Sequence, residues 1–385
     1  MRLLSYEIQK VLKNKTIIGC LFVSLFMLSG IFYVGYYQSH SQLSGRSNMA
    51  DGYTKTIDQK ISKDYTGDLT DDKVKMILSD YFETYQAHIR KNRYEGPFYL
   101  FYWQVADTYI SQEKTEDIYT SMIDAVNKGQ RVTIKDVVLR SVNAIGFKTF
   151  QKPLKIGNYV PWGDLYKVQS NISLLTAILI MLIASLIFSE DSSRQMNQIL
   201  YSTKYGRSKL ISTKLWASLL LCLIIYLLTQ FLNLMVFSLM YDTSGWNSSI
   251  QTNLELKFFD FPLEWNHLHL YLWMLGLHFA GLLLVTGMSL LISLFAQSPL
   301  TSFTSSLTLY LLPMFLQRVF QDGLVNTLLY LFPINQINAL KLVALFSNFK
   351  VSFIITNFIG FAVLSSATLL LFALVHYFGK KWTFA

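Results

Sequence analysis

Cysteine is nearly missing from this chain: two occur in 385 residues, Cys20 and Cys222, and both lie inside long apolar runs. The polar segments therefore carry no disulfide framework and no thiolate metal site. No Gly-x-x-x-x-Gly-Lys-Ser/Thr loop occurs, so the chain is not itself an ATPase of that type. His-Glu-x-x-His and Cys-x-x-Cys are missing as well. Charge is scarce, at 15% of residues, and vanishes over stretches long enough to cross a bilayer. That excludes an ordinary soluble domain. It also argues against a membrane-embedded enzyme, which needs acids, bases or nucleophiles converging inside the apolar runs.

What the chain has is apolar surface, 52% of residues, with a mean hydropathy of +0.33. A span needs about 20 apolar residues to cross a hydrocarbon core roughly 30 Å thick. Ile17–Tyr36, Ile172–Ser189, Leu215–Tyr241 and Val351–Gly379 are free of Asp, Glu, Lys and Arg. So is Trp265–Gln317, which holds two spans with a break at Gln297-Ser298-Pro299. The first run lacks a small-residue cleavage site and continues through Phe32, Tyr33, Tyr36 and Tyr37, so it reads as a retained span and not a signal peptide. The stretch 323–346 is interrupted by Pro333, Asn335, Gln336 and Asn338 and reads as a re-entrant or interfacial pair of short helices. The fold expected is an all-α membrane protein of six transmembrane helices with an inserted, mainly helical extracellular domain. Its parts are 1–36 (an interfacial helix and the first span), 37–170 (the extracellular domain) and 171–385 (the remaining five spans).

Charge sets the orientation. Arg2, Lys10, Lys13, Lys15, Arg194, Lys204, Arg207, Lys209, Lys214, Lys380 and Lys381 face only Glu7, Glu190 and Asp191, which is +8 of the net +9. The positive-inside rule makes that side cytosolic, with both termini on it. The pI of 9.2 then follows from orientation and attraction to anionic lipid, not from a nucleic-acid partner.

Within 37–170, Thr70-Asp71-Asp72 opens a helix whose apolar face is Val74, Ile77, Leu78, Tyr81, Tyr85 and Ile89. A second helix is predicted from Ser111 to a left-handed cap at Gly129, and a third from Thr133 to Gly146, with Thr133 and Asp136 as a capping box. Between the first two, Phe98, Tyr99, Phe101, Tyr102 and Trp103 are too many aromatics for one small core. They read as half core and half interfacial belt, with an exposed recognition patch as the other possibility. Tyr159-Val160-Pro161-Trp162 reads as an interfacial anchor.

Two cytosolic segments stand out. Residues 3–15 are amphipathic, with Leu4, Ile8, Val11 and Leu12 on one face, and are expected to lie along the inner leaflet. Residues 190–205 place Met196, Ile199, Leu200 and Thr203 on one side of a short helix. Glu190 and Asp191 precede it, and a Tyr205-Gly206-Arg207 turn follows. The acid after the second span, the helix ending in Leu200, Ser202-Thr203, Gly206-Arg207 and Lys214 resemble the coupling helix of type-2 ABC exporter permeases. Members of that family often carry a Gly one turn after the acid, where this chain has Arg194 and Gln195.

The resemblance implies a permease subunit that binds no cofactor itself. ATP would be bound by a separate dimeric ABC ATPase. A second copy or paralogue of the permease would complete a path across a bacterial cytoplasmic membrane. Glu190, Arg194, Met196, Ile199, Leu200, Thr203, Gly206 and Arg207 would form the ATPase contact, and the substrate is guessed as a peptide such as a bacteriocin or toxin. The alternative is an ABC-type signalling or mechanotransmitting protein whose extracellular domain recruits or senses a partner without transport. His267, His269 and His278 are read as interfacial residues and not as metal ligands. Gln230, Asn233, Thr286, Ser289, Ser293 and Asn357 either line a path or bond between helices.

Overall fold

The computed structural model describes residues 2–39, 57–90, 99–111, 117–196, 199, 209–347 and 353–381. In chain order its helices are α1 (Arg2–Leu12), α2 (Lys15–Phe32, prolonged by a π-helical stretch Tyr33–Gln38), α3 (Asp71–Arg90), α4 (Leu100–Tyr109), α5 (Ile118–Asn127) and α6 (Val160–Ser193). They continue with α7 (Ile211–Met240), α8 (His267–Phe295), α9 (Pro299–Val319), α10 (Gly323–Leu329), α11 (Pro333–Gln336), α12 (Ala339–Ser347) and α13 (Phe353–Lys381). Ile61–Tyr65 forms a π-helical turn, and β1 (Gly67–Asp68) pairs antiparallel with β2 (Lys155–Ile156), the one named strand pair among the described residues. The chain divides into two compact units. One holds 1–31, 169–234 and 273–385, the other 32–168 and 235–272.

Among the described residues, five helices are long and apolar enough to cross a membrane: α2 with its extension, α6, α7, α8 and α13. The sixth expected span is a helix of 21 residues, α9, but it is not among the five. Thr301, Ser302, Thr304, Ser305, Ser306 and Thr308 dilute its apolar character, and Thr304 and Thr308 satisfy their hydroxyls on their own backbone at Leu300 and Thr304.

In the first unit, α6 is the central element. Its apolar window is 78% buried, against 11% for α2 and 17% for α13. One apolar cluster joins Val11 and Ile17 to Leu179, Ile183 and Ile187 of α6, Ile211 of α7, Leu290 of α8 and Val375 of α13. A second joins Ala177, Ile180 and Met181 to Tyr226, Leu282, Tyr310 and Ile334. Close approach is needed at Gly287, where a Cβ would lie 3.1 Å from Leu371 Cβ. Polar side chains cross between helices. Asn233 donates to Gln169 (3.1 Å), Trp273 to Asn357 (3.0 Å), and Ser293 accepts from the Phe188 and Ser189 amides while donating to the Ser185 carbonyl. Such bonds hold helices together where lipid offers no partner. Gln230 and Ser289 keep buried polar atoms without a partner.

In the second unit, α3 forms as predicted, with Thr70 Oγ1 accepting from the Lys73 amide and Val74, Ile77, Leu78, Tyr81 and Tyr85 buried. Two helix expectations are corrected. α5 starts at Ile118, capped by Asp117, whose carboxylate accepts from the Tyr119 amide. The predicted start at Ser111 falls instead in an extended stretch, where Ser111 donates its amide to the Val138 carbonyl. The third helix does not form. The Thr133–Asp136 capping box is present, but it closes a single 3₁₀ turn, Ile134–Asp136, and a second turn spans Val142–Ile145. β-branched Val137 and Val138 sit between them, and Leu139 bridges to Ile110; cross-chain pairing outcompetes a weak local helix.

The aromatic run is mostly core. Tyr99, Phe101 and Tyr102 are buried and only Trp103 is exposed, while Phe98 lies outside the described residues. Tyr65 stacks on Phe101 and Tyr81 on Tyr102, with Tyr65 donating to Asp80 at 2.7 Å. Tyr159, Val160 and Trp162 are buried as well, so the expected interfacial anchor is core packing. The segment 242–267 belongs to this unit. Lys167 pairs with Glu255 (2.6 Å), and Gln251 caps the Phe261 and Leu263 carbonyls.

Candidate functional site

The base of the site is the C-terminal end of α6. After Ser193 the Gln195 amide bonds the Ser192 carbonyl and the Met196 amide reaches back to the Asp191 carbonyl. This is the two-bond helix stop that normally has glycine at its left-handed position. Here Gln195 takes that conformation, at φ 56°, and so occupies the place where the resembling family often has Gly.

Three helix ends meet through charged side chains. Lys214, in the first turn of α7, is 1% exposed, and its ammonium bonds Asp191 Oδ2 at 2.6 Å and the Ile187 carbonyl. Glu7 of α1, 4% exposed, lies 3.7 Å from the same ammonium. Lys10, also on α1, bonds the other oxygen of Asp191. Lys214 further lies 5.2 Å from the centroid of the Phe188 ring. Two cations thus face two carboxylates, so the desolvated group is close to neutral as a whole.

Beside it, Asn14 links α1 to α2. Its side-chain oxygen caps the Thr16 amide at 2.9 Å and its amide donates to Glu190 at 3.2 Å. Glu190 also accepts from Arg194 at 2.6 Å. The arrangement contains no nucleophile with an adjacent base. It can transmit force: displacing residues 191–196 pulls on α1 and α7 through ion pairs that cannot be exchanged for water without exposing Lys214.

Among the residues expected from sequence, Glu190 and Arg194 meet each other, and Met196 and Ile199 are exposed. Leu200, Thr203, Gly206 and Arg207 lie outside the described residues. Sequence reasoning did not single out Glu7, Lys10, Asn14 and Asp191 as site residues, and used Lys214 only as the end of the motif. One signal was available. Glu7 is three residues after Leu4 and four before Val11, so an acid interrupts the apolar face of α1, and an acid there needs a buried cation. Among the described residues no three His, Cys, Asp or Glu side chains converge as metal ligands. His278 instead bonds Ser173 and the Ile337 carbonyl.

A family model described as ABC-2 family transporter protein matches residues 1–378. Among curated proteins none matches.

Proposed function

The chain belongs to the ABC-2 family of membrane transporter proteins, and from that premise we propose that it is the permease subunit of an ATP-driven exporter. Membership implies an ABC transporter with an ATPase partner. Two permeases, identical or paralogous, form a path across a bacterial cytoplasmic membrane. Each has six spans, α9 included, with both termini cytosolic and the 37–170 domain outside. The cargo is a peptide of the bacteriocin or toxin kind.

The observation that carries the reading is the buried brace of Glu7, Lys10, Asp191 and Lys214. It ties α1, α6 and α7 together beside exposed Met196 and Ile199. An ATPase seated on Arg194, Met196, Ile199, Leu200, Thr203, Gly206 and Arg207 would push a segment rigidly joined to two membrane helices. Nucleotide-driven closure of the ATPase dimer would then tilt α6 and α7 as one body. Glu190 takes part by holding Arg194 and Asn14 in place.

The test is affinity purification of the tagged chain from its native membrane in mild detergent. An ABC ATPase at stoichiometric amounts is expected with the wild type and not with Met196→Asp/Ile199→Asp, a variant whose changed side chains are exposed. Purification of the wild type alone, with no ATPase, would overturn the assignment. Retention of the ATPase by the double variant would move the contact elsewhere.

A further inference from the structure

The stretch 323–346 reads from its sequence as too polar to cross a bilayer cleanly, and Asn335, Gln336 and Asn338 each bond its backbone. Helix breaks leave carbonyls and amides unbonded, and a membrane does not tolerate them. At the α10–α11 break, Asn335 Nδ2 donates to the Leu329 carbonyl (2.8 Å) and Gln336 Nε2 to the Leu331 carbonyl (3.1 Å). At the start of α12, Asn338 Oδ1 accepts from the Lys341 amide at 3.2 Å. These side chains satisfy backbone groups that the helix breaks free.

The segment is buried at α11 and again at Ala339, Leu342 and Val343 of α12, which packs on α13. Along α10 only Leu329 is buried, whereas Ile334, Asn335 and Gln336 of α11 are buried together. Three contacts fasten α11. Pro333 lies against α8 at Gly281, where a Cβ would sit 3.1 Å from Pro333 Cβ. Asn335 also donates to the Pro313 carbonyl of α9 at 3.3 Å. The third is His278 of α8, whose Nε2 lies 3.1 Å from the Ile337 carbonyl. A carbonyl only accepts, so Nε2 carries the proton, and Nδ1 accepts from the Ser173 hydroxyl of α6 at 2.7 Å. Gln169, 3.4 Å from Nδ1, receives the Asn233 amide of α7. The imidazole thus bonds the segment directly to α6 and, through Gln169, to α7. Beside it lies a cavity of about 20 Å³, bordered by Ser173, His278, Tyr310 and Gln336, about the size of one water.

We propose that His278 is a positioning residue: a latch that seats α11, the middle of the interrupted segment, on α6, α8 and α9 and lets α11 lift when α6 and α8 shift. The seating stands on the contacts alone, while lifting during transport rests on the permease reading given above.

The test uses the full chain with Cys20→Ser and Cys222→Ser, carrying Gly281→Cys and Pro333→Cys. Mild oxidation of the purified protein is expected to join the pair, because their Cβ atoms are within disulfide reach. A pair that stays reduced overturns the seating. In membranes, maleimide labelling of Pro333→Cys alone is expected to rise at least fivefold with His278→Leu. With His278→Gln, whose amide can still donate to Ile337, it should return toward the parent level. Equal labelling in all three overturns the latch, and because labelling reads the segment directly, a merely folded or unfolded background is separated by monodisperse elution of each variant. In the complex with its ATPase, the oxidised pair is expected to slow ATP turnover by about tenfold, with recovery on reduction. Undiminished turnover while locked overturns the lifting. If no ATPase accompanies the chain, the permease reading fails, and the cross-linking and labelling results still decide the latch.

Discussion

Lys214 shows how much one side chain can hold. Its ammonium is withdrawn from water and paired with Asp191 and Glu7, an arrangement in which removing one partner costs far more than the pair contributes. Lys214→Met is expected to destabilise the detergent-purified protein by about 3–5 kcal/mol. Adding Asp191→Leu should recover part of that, because a buried carboxylate disappears with its cation. A thermal melt in which the double variant is no better than the single one would refute the ion-pair account. Gln195 makes the opposite prediction. Relieving a left-handed non-glycine residue is worth about 1 kcal/mol, so Gln195→Gly should raise the melting midpoint and Gln195→Val lower it; the reverse order would show that the turn is not strained. Asp136 gives a pH signature. The Thr133 amide and hydroxyl hold its carboxyl below the usual carboxylate range. A folded-state pKa below the unfolded value contributes stability in full above the unfolded value, about 3.9, and loses it as pH falls through the folded one. The Thr133 amide resonance should keep its hydrogen-bonded shift down to about pH 4 and drift only below it; a drift already complete at pH 5 contradicts the cap.

Elements were legible in the sequence where apolar periodicity ran long. α2, α6, α7, α8 and α13 all appear where uncharged runs predicted helices, because a stretch of some 20 residues without charge has few alternatives. The predicted third helix of the polar segment failed because Val137 and Val138, two β-branched neighbours, fit an extended strand facing Ile110 better than a helix, and pairing over that distance leaves no trace in a local pattern. The aromatic run was misjudged for a related reason. Phe101 and Tyr102 are accommodated by Tyr65 and Tyr81, residues earlier in the sequence that stack on them, and Tyr99 packs edge-on against Tyr102. The site was half legible: Glu190 and Arg194 fell in a recognisable segment, whereas Lys10 and Asp191, 181 residues apart, each looked like an ordinary flank of a span. Between elements, α8 approaches α13 closely at Gly287. Gly287→Leu forces Leu371 and Phe372 aside and is expected to cost about 1–3 kcal/mol, read as a lower midpoint in the same melt, while Gly276→Ala, whose nearest neighbour is 3.8 Å away, should leave it unchanged.

For the whole molecule, the orientation argued from charge has a direct check. With both native cysteines replaced, Lys63→Cys should react with an impermeant maleimide on intact cells, while Tyr6→Cys and Lys380→Cys should react only after permeabilisation. Opposite sidedness for Tyr6→Cys and Lys380→Cys would mean that an odd number of helices crosses and that α9 does not. The burial of α6 bears on something else: the order in which the chain is made. Its Ser173 finds His278 only 105 residues later. At about 5–20 residues per second of synthesis, the second span waits roughly 5–20 s in the bilayer with Gln169, Ser173 and the end-of-helix acids exposed to lipid or to the insertion machinery. The helix that is innermost in the finished protein is thus the one that most needs a temporary companion at birth.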